Sequence, residues 1–360
     1  MKVKSSELNS ALSIISPVAS GSGKVMPILG CVNLNMIDDK LNIVASNLEM
    51  QISTSCFVEG SIEPGCIDAE KMSKFAKASG NDGDVSIVIG SDKKAVLRGK
   101  SRSTVNVLST DDFPLMKIDF DKSVLVKLRA SDLSLAFDSV LHCVAINDAR
   151  SFLNGVNFKL SNGELYVVGS DGFRLSTITL PVNCNESIEC IIPIKTAQTI
   201  AKTFKNCDIE LILSKNALSV TDGMTTIIGK NIDSKYPDFS RQFNIERPNH
   251  VIVPRADFVS GIESVLLTAT DVAKKMAITF SKDNINFVVS NQEGEQSEID
   301  VKCDYSGKEF VFGANPDYIL GSAKKIAGNI NIHFADDLGN FIMSAEGEES
   351  ANHLIMPCRI

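Results

Sequence analysis

The sequence predicts an α+β protein of three similar domains, each made of short antiparallel strands with two helices. Three observations carry that expectation. Helix-like stretches starting at Val3, Leu128 and Val253 align with one another, 125 residues apart. A second short helical segment recurs at nearly the same period, through Phe75-Ala76-Lys77, Ile200-Ala201-Lys202 and Ser322-Ala323-Lys324. Between these helices the chain is cut into short runs rich in β-branched residues. A single period shared by unlike markers is the signature of internal repetition.

The first helix of each repeat carries an apolar stripe: Leu8, Leu12 and Ile15; Leu133, Phe137 and Val140; Phe258, Ile262 and Val265. The spacing i, i+4, i+7 puts each set on one face, as in a helix lying on a core. Ser6 and Ser131 are expected as N-caps, since a hydroxyl there can accept from an orphan backbone N–H. The second helices are predicted in AEKMSKFAKAS, IKTAQTIAKTF and NPDYILGSAKKI. Strands are predicted in VSIVIG, KAVLRG, STVNVL, IELILS, ALSVTD, TTIIGK, INFVVS, INIHF and NFIMSA, with turns at Ser161-Asn162-Gly163 and Asp222-Gly223. Phe113-Pro114 and Tyr236-Pro237 are a third repeated marker. The expected domains are 1–121, 122–247 and 248–360, with linkers near 118–122 and 246–250.

Composition narrows the function. The chain has 360 residues, 44% hydrophobic and 22% charged, with a formal net charge of −8. That balance argues against a dedicated DNA-binding domain but permits a local basic surface. MKVKSSELNS lacks an apolar signal core and no apolar run is long enough to span a bilayer, so a cytoplasmic protein is expected, with no membrane partner. Nine cysteines, without a CxxC pair or clustered histidines, favour buried thiols over a disulfide framework or zinc site. No cofactor or metal is expected, because no P-loop, dinucleotide fingerprint or zinc signature occurs. His142-Cys143 could suggest a nucleophile and base, but neighbours on one helix point about 100° apart. The acid pairs Asp111-Asp112 and Asp336-Asp337 sit in turn-like surroundings. Catalysis is therefore not expected.

Each second helix carries lysine: Lys71, Lys74 and Lys77; Lys195, Lys202 and Lys205; Lys324 and Lys325. On one helix this would be a solvated face; on all three it suggests a shared role. A domain of this size has a hard radius of roughly 17 Å, and six in a ring leave a hole roughly 35 Å wide. Two copies joined head to tail would supply six domains. Lysine helices lining that hole would attract phosphate without reading sequence.

The chain ends HLIMPCRI, unusually apolar for a terminus. Such a tail orders only by packing on an apolar patch, and an incompletely filled patch binds apolar peptide side chains. Asn315 and Tyr318 could anchor peptide amides, and Met356 could adapt its shape. The alternative is a last strand closing the third domain.

MPILGCVNL (26–34), SNLEMQIS (46–53), STDDFP (109–114), RSFLNGVNF (150–158), GSDGFRLS (169–176), KYPDF (235–239), ANPDYIL (314–320) and LIMPCRI (354–360) occur in an order and spacing that resemble the bacterial DNA polymerase III beta subunit family, the sliding clamps, along essentially the whole chain. The resemblance implies a DNA-clamp fold in a head-to-tail homodimeric ring that encircles double-stranded DNA without sequence preference. It implies no enzymatic activity. The partners it implies are the polymerase III catalytic subunit, a clamp loader, and other replication and repair proteins carrying short apolar clamp-binding motifs. It also implies a partner-peptide cleft at Arg150, Leu153, Ser170, Gly172, Phe173, Arg174, Leu175, Pro237, Arg241, Asn315, Tyr318, Leu354, Ile355, Met356, Pro357, Cys358, Arg359 and Ile360. DNA contacts would fall at Lys24, Asn147, Ser151 and Phe152 beside the helix lysines. Phe173, Cys358 and Gln242 depart from the commoner pattern in the cleft, as do Glu70 and Ser151 on the DNA side. A monomeric peptide-binding scaffold of the same fold is the alternative.

Overall fold

The computed structural model describes residues 1–19, 26–117, 122–269, 275–291, 293–335 and 339–359. Lys24, Ile360, the Asp336-Asp337 pair and most of the first expected linker lie outside them. One order of elements, strand–helix–four strands–helix–three strands, is traversed three times. The first repeat runs β1 (Lys2–Lys4), α1 (Ser5–Ala19), β2 (Cys31–Ile37), β3 (Lys40–Ser46), β4 (Met50–Glu59), β5 (Gly65–Asp68), α2 (Ala69–Ala78), β6 (Asp84–Ile89), β7 (Lys94–Arg98) and β8 (Arg102–Leu108). The second runs β9 (Val124–Arg129), α3 (Ala130–Val140), β10 (Gly155–Ser161), β11 (Glu164–Ser170), β12 (Arg174–Pro181), β13 (Ile188–Pro193), α4 (Ile194–Thr203), β14 (Asp208–Leu213), β15 (Ala217–Thr221) and β16 (Thr225–Lys230), followed by a short α5 (Ser240–Phe243). The third runs β17 (Asn249–Pro254), α6 (Arg255–Val265), β18 (Met276–Ser281), β19 (Asn284–Ser290), β20 (Gln296–Lys302), β21 (Phe310–Ala314), α7 (Pro316–Ala323), β22 (Asn329–Phe334), β23 (Phe341–Ala345) and β24 (Glu348–Ile355).

The apolar stripes of α1, α3 and α6 are buried at all nine positions, none more than 2% exposed. Each such side chain contributes roughly 1.5–3 kcal/mol of transfer free energy. The expected N-caps are corrected. Ser6 and Ser131 lie inside the first turn, because each helix begins directly off a strand. A backbone carbonyl satisfies the first helical donor instead: Ser5 N–H donates to Gly83 O and Ala130 N–H to Cys207 O, both at 2.9 Å. Side-chain caps occur on second helices, where Asp68 accepts from Lys71 N–H and Asn315 from Asp317 N–H. Asn162 and Gly163, with φ of 55° and 79°, form the tight turn joining β10 to β11.

Two compact units result, and they divide the second repeat. One, residues 1–131 and 199–231, holds a 12-stranded sheet in the order β1-β6-β7-β8-β5-β2-β3-β4-β16-β15-β14-β9. Its continuity across two repeats comes from β4 pairing antiparallel with β16, Thr54 opposite Thr225 through Met50 opposite Gly229. The other unit, residues 132–198 and 232–360, holds an eight-stranded sheet, β13-β10-β11-β12-β24-β23-β22-β17, and a four-stranded sheet, β20-β19-β18-β21. Here β12 pairs with β24, Arg174 opposite Ile355 through Ile178 opposite Ala351. The two seams use equivalent strands.

All nine cysteines are free thiols. No cluster of metal-binding side chains, and no helix long and apolar enough to cross a membrane, occurs among the described residues.

Candidate functional site

The site forms where the chain's last strand meets β12. Successive side chains of β24 point to opposite faces. Ile355 enters the core of the third repeat, while Leu354 joins an outer cluster with Val168, Leu175, Ile191, Tyr236 and Ile342. The tail is thus a closing strand up to Ile355 and something else beyond it. Met356 is 42% exposed, and its N–H donates to Phe173 O at 2.9 Å. Cys358 N–H donates to Gly313 O at 2.8 Å, fastening the tail beside β21. Pro357 is half-buried and Arg359 exposed between and beyond these ties.

Opposite the tail stands the turn Asp171–Arg174. The Asp171 carboxylate accepts from Phe173 N–H, Arg174 N–H and Arg174 Nε at 2.9–3.0 Å, and Ser170 Oγ donates to Arg174 O. Gly172 sits at φ +90°, where an L side chain is strained, and a Cβ there would press on the Arg150 guanidinium 3.0 Å away. Arg150 is held by a two-pronged pair with Asp148, and Leu153 is buried under the same loop. The Arg174 guanidinium lies 4.6 Å from the Tyr318 ring centroid, and the exposed Phe173 ring stacks on Tyr318 at 6.2 Å. Arg174 therefore both pairs with a carboxylate and builds an aromatic wall. Asn315 spends its carbonyl oxygen capping α7, which leaves only its amide donors for a ligand.

Aromatic residues beyond the expected set complete the cleft. Phe152, Tyr236, Phe239 and Phe243 meet edge to face at 6.0–6.3 Å. Phe152, expected as a DNA contact, is half-buried and packs against this cluster. Tyr236-Pro237 signalled the repeat in the sequence; the Tyr236 ring packs in this cluster, its hydroxyl buried with no hydrogen-bond partner among the described residues. Pro237 and Arg241 are exposed at the rim, and Gln242 Oε1 accepts from Asn340 Nδ2.

Beneath the β12–β24 seam lies a polar network that the sequence did not indicate. Ser176 Oγ contacts His353 Nδ1 at 2.8 Å and Cys143 Sγ at 2.9 Å; His142 Nε2 contacts Ser322 Oγ at 3.0 Å and Cys143 Sγ at 3.1 Å. The two side chains nonetheless meet, although neighbours in the 3-10 turn Leu141–Cys143 diverge by about 120°. Burial holds His142 down at about 3 and His353 at about 4, and pushes the Cys143 thiol up to about 12. At neutral pH this is a set of uncharged hydrogen-bonding groups, without the thiolate that nucleophilic chemistry requires.

The lysines divide. Lys71, Lys77, Lys195 and Lys202 are exposed. Lys205, two residues past the end of α4, donates from Nζ to Ala201 O. Lys74 pairs with Glu70 at 2.5 Å, Lys324 with Glu263 at 2.6 Å and Lys325 with Asp138 at 2.5 Å. Lys325 is the most enclosed of these, so its charge is committed to the fold. Asn147, at φ +58°, and Ser151 are exposed.

Three tandem β-α-β4-α-β3 repeats joined by strand pairing are the architecture of a DNA sliding clamp. Residues 3–117, 127–238 and 241–359 match, in order, the N-terminal, central and C-terminal domains of the DNA polymerase III beta subunit, and the chain belongs to that family. A beta sliding clamp of Pseudomonas putida is 22% identical over 344 residues, 94% of each chain. The crystal structure of the DNA polymerase III subunit beta from Pseudomonas aeruginosa superposes with a TM-score of 0.95 at 21% identity, over all of both chains. A griselimycin-bound sliding clamp from the same organism gives 0.96 at 21%, covering 100% of this chain and 99% of that one.

Proposed function

We propose that two copies of this chain close head to tail into a ring that encircles duplex DNA and tethers the replicative polymerase through the β12–β24 cleft. The observation that carries the ring is a pairing rule. The third strand after a repeat's first helix pairs with the last strand of the following repeat: β4 with β16, β12 with β24. Applied once more, the rule asks β20 for a partner equivalent to β8. Among the described residues, strand β20 is bonded only to β19, and residues 102–106 of β8 only to β7. Counting from the two observed seams puts Arg102 of one copy opposite Glu298 of the other, an opposite-charge pair. The repeats are bounded at 1–121, 122–247 and 248–360.

Within the ring, Lys71, Lys77, Lys195 and Lys202 supply exchangeable phosphate contacts, with Lys74 available because an exposed ion pair is worth under about 1 kcal/mol. The cleft takes short apolar motifs of the polymerase III catalytic subunit, the clamp loader and repair proteins, with Met356 and Phe173 as adaptable walls. The protein does no covalent chemistry. Sedimentation tests the ring first: a mass about twice the 38.9 kDa chain is expected, and a monomer at micromolar concentration overturns it. Loaded protein is expected to stay on closed circular DNA and leave once the circle is cut; equal loss from both forms refutes encirclement. Griselimycin is expected to compete with apolar peptides for the cleft.

A further inference from the structure

A groove of about 770 Å³ lies between strands β10, β11 and β13 and the 235–240 segment. Its apolar lining is Phe152, Tyr166, Tyr236, Pro237 and Phe239. Three of these rings, Phe152, Tyr236 and Phe239, also belong to the cleft cluster, so groove and cleft share a wall. Its charges are unequal in their commitments. Glu189 accepts from Asn157 Nδ2 at 3.0 Å, and Asp238 accepts from both the N–H and the hydroxyl of Ser240. Those hydrogen bonds hold the Asp238 carboxyl below its ordinary range. Lys159 and Lys235 are exposed at the same groove, and neither has an ion-pair partner within 4 Å among the described residues.

We propose that this groove receives an acidic flank, carrying an aromatic residue, of the same partner peptide whose apolar segment enters the cleft. The proposal rests on the cleft reading for the apolar segment and adds a second, electrostatic determinant of partner choice. A carboxylate entering the groove meets two ammonium groups with no ion-pair partner within 4 Å among the described residues, Lys159 lying opposite Glu189 across β10–β13 and helping to hold the Asp238 carboxyl down, and an aromatic side chain meets ring edges. A basic flank would find carboxylates already hydrogen-bonded. A four-residue extended flank spans about 13 Å, enough to run from the shared wall into the groove.

The test uses fluorescence anisotropy on the full chain with defined probes. One is an apolar hexapeptide of leucine, serine and phenylalanine. The others carry Glu-Phe-Glu-Glu or Lys-Phe-Lys-Lys at one end or the other. One acidic extension is expected to bind about tenfold tighter than the hexapeptide, with a gain that shrinks as salt rises. K159E/K235E, and the milder K159Q/K235Q, are expected to erase that gain and leave hexapeptide affinity unchanged. No gain from either acidic extension, equal gain from the basic ones, or a gain that survives both double variants overturns the proposal. A hexapeptide that binds neither the full chain nor its 356–360 deletion differently sinks the cleft reading instead. In that case Glu-Phe-Glu-Glu alone, titrated at millimolar concentration by NMR, must shift resonances in a manner dependent on Lys159 and Lys235, or the groove proposal falls too.

Discussion

The β4–β16 and β12–β24 seams have the same backbone and different contents. Each is five antiparallel residue pairs between equivalent strands. At the first, a buried hydroxyl pair, Thr54 with Thr225 at 2.8 Å, is the polar contact, and Lys230 reaches Glu49 only at 3.9 Å in the open. At the second sit the His142–Cys143–Ser176–His353–Ser322 network, the Asp171–Arg174–Tyr318 wall and the outer aromatic cluster. The turns entering β4 and β12 show the same divergence. SNLEM passes through Leu48 at φ +74°, where a non-glycine residue is strained, and SDGFRL through Gly172 at φ +90° with an arginine two residues on. Backbone pairing is what the two joins share, and the added side chains at the second are the ones proposed to serve binding.

The largest expected difference is acid sensitivity. His142 and His353 have native values of about 3 and 4 against an ordinary value near 6.5. Between pH 6.5 and 4 the unfolded chain binds protons that the native one refuses, so stability falls as pH drops, by about 1.4 kcal/mol per pH unit for each histidine. Protonation would also place charge beside Arg174 and Lys325, with only Asp171 and Asp138 nearby to offset it. Urea melts across that range, followed by hydrogen exchange, are expected to show β24 released before β16; simultaneous release removes the distinction.

Arg174→Ala comes next. It strands the Asp171 carboxylate and removes the Tyr318 stack, costing about 2–3 kcal/mol of stability and about 100-fold in cleft-peptide affinity. Isothermal titration and denaturant melts measure both; an affinity within twofold of wild type would show that the wall does not touch peptide. Ser176→Ala leaves His353 Nδ1 and the Cys143 thiol without their shared partner, for about 1–2 kcal/mol. The matched T54V/T225V double variant removes both members of its pair and is expected to stay within about 0.5 kcal/mol. Equal losses would mean that the two seams are energetically alike. Smallest is Leu48→Gly, which relieves a positive φ and is expected to raise stability by a few tenths of a kcal/mol, read as a Tm rise of about 1 °C.

What was legible in the sequence was local. The stripes of α1, α3 and α6, the quoted strand runs and the Asn162-Gly163 turn all encode themselves within a few residues. The apolar tail and the SDGFRL turn stood out because greasy ends and an arginine at a turn are exceptions to ordinary patterning, and the fold brings the two together at the β12–β24 seam. Contacts between residues distant in the chain were not legible. Ser176 meets His353 across 177 positions, and Phe152 reaches Tyr236 across a loop that only the fold brings near. The misplaced caps at Ser6 and Ser131 have the same origin: the carbonyls of Gly83 and Cys207 do the capping, and nothing within the helix segments reveals it.

Joining modules through main-chain hydrogen bonds has an evolutionary consequence. An amide ladder recognises geometry and ignores most side chains, so residues along β4, β16, β12 and β24 can drift while the interlock survives. A chain only 21% identical to its Pseudomonas aeruginosa relative yet superposable at 0.95 shows how far such drift can run. Mutational constraint is then relieved along the joins between modules.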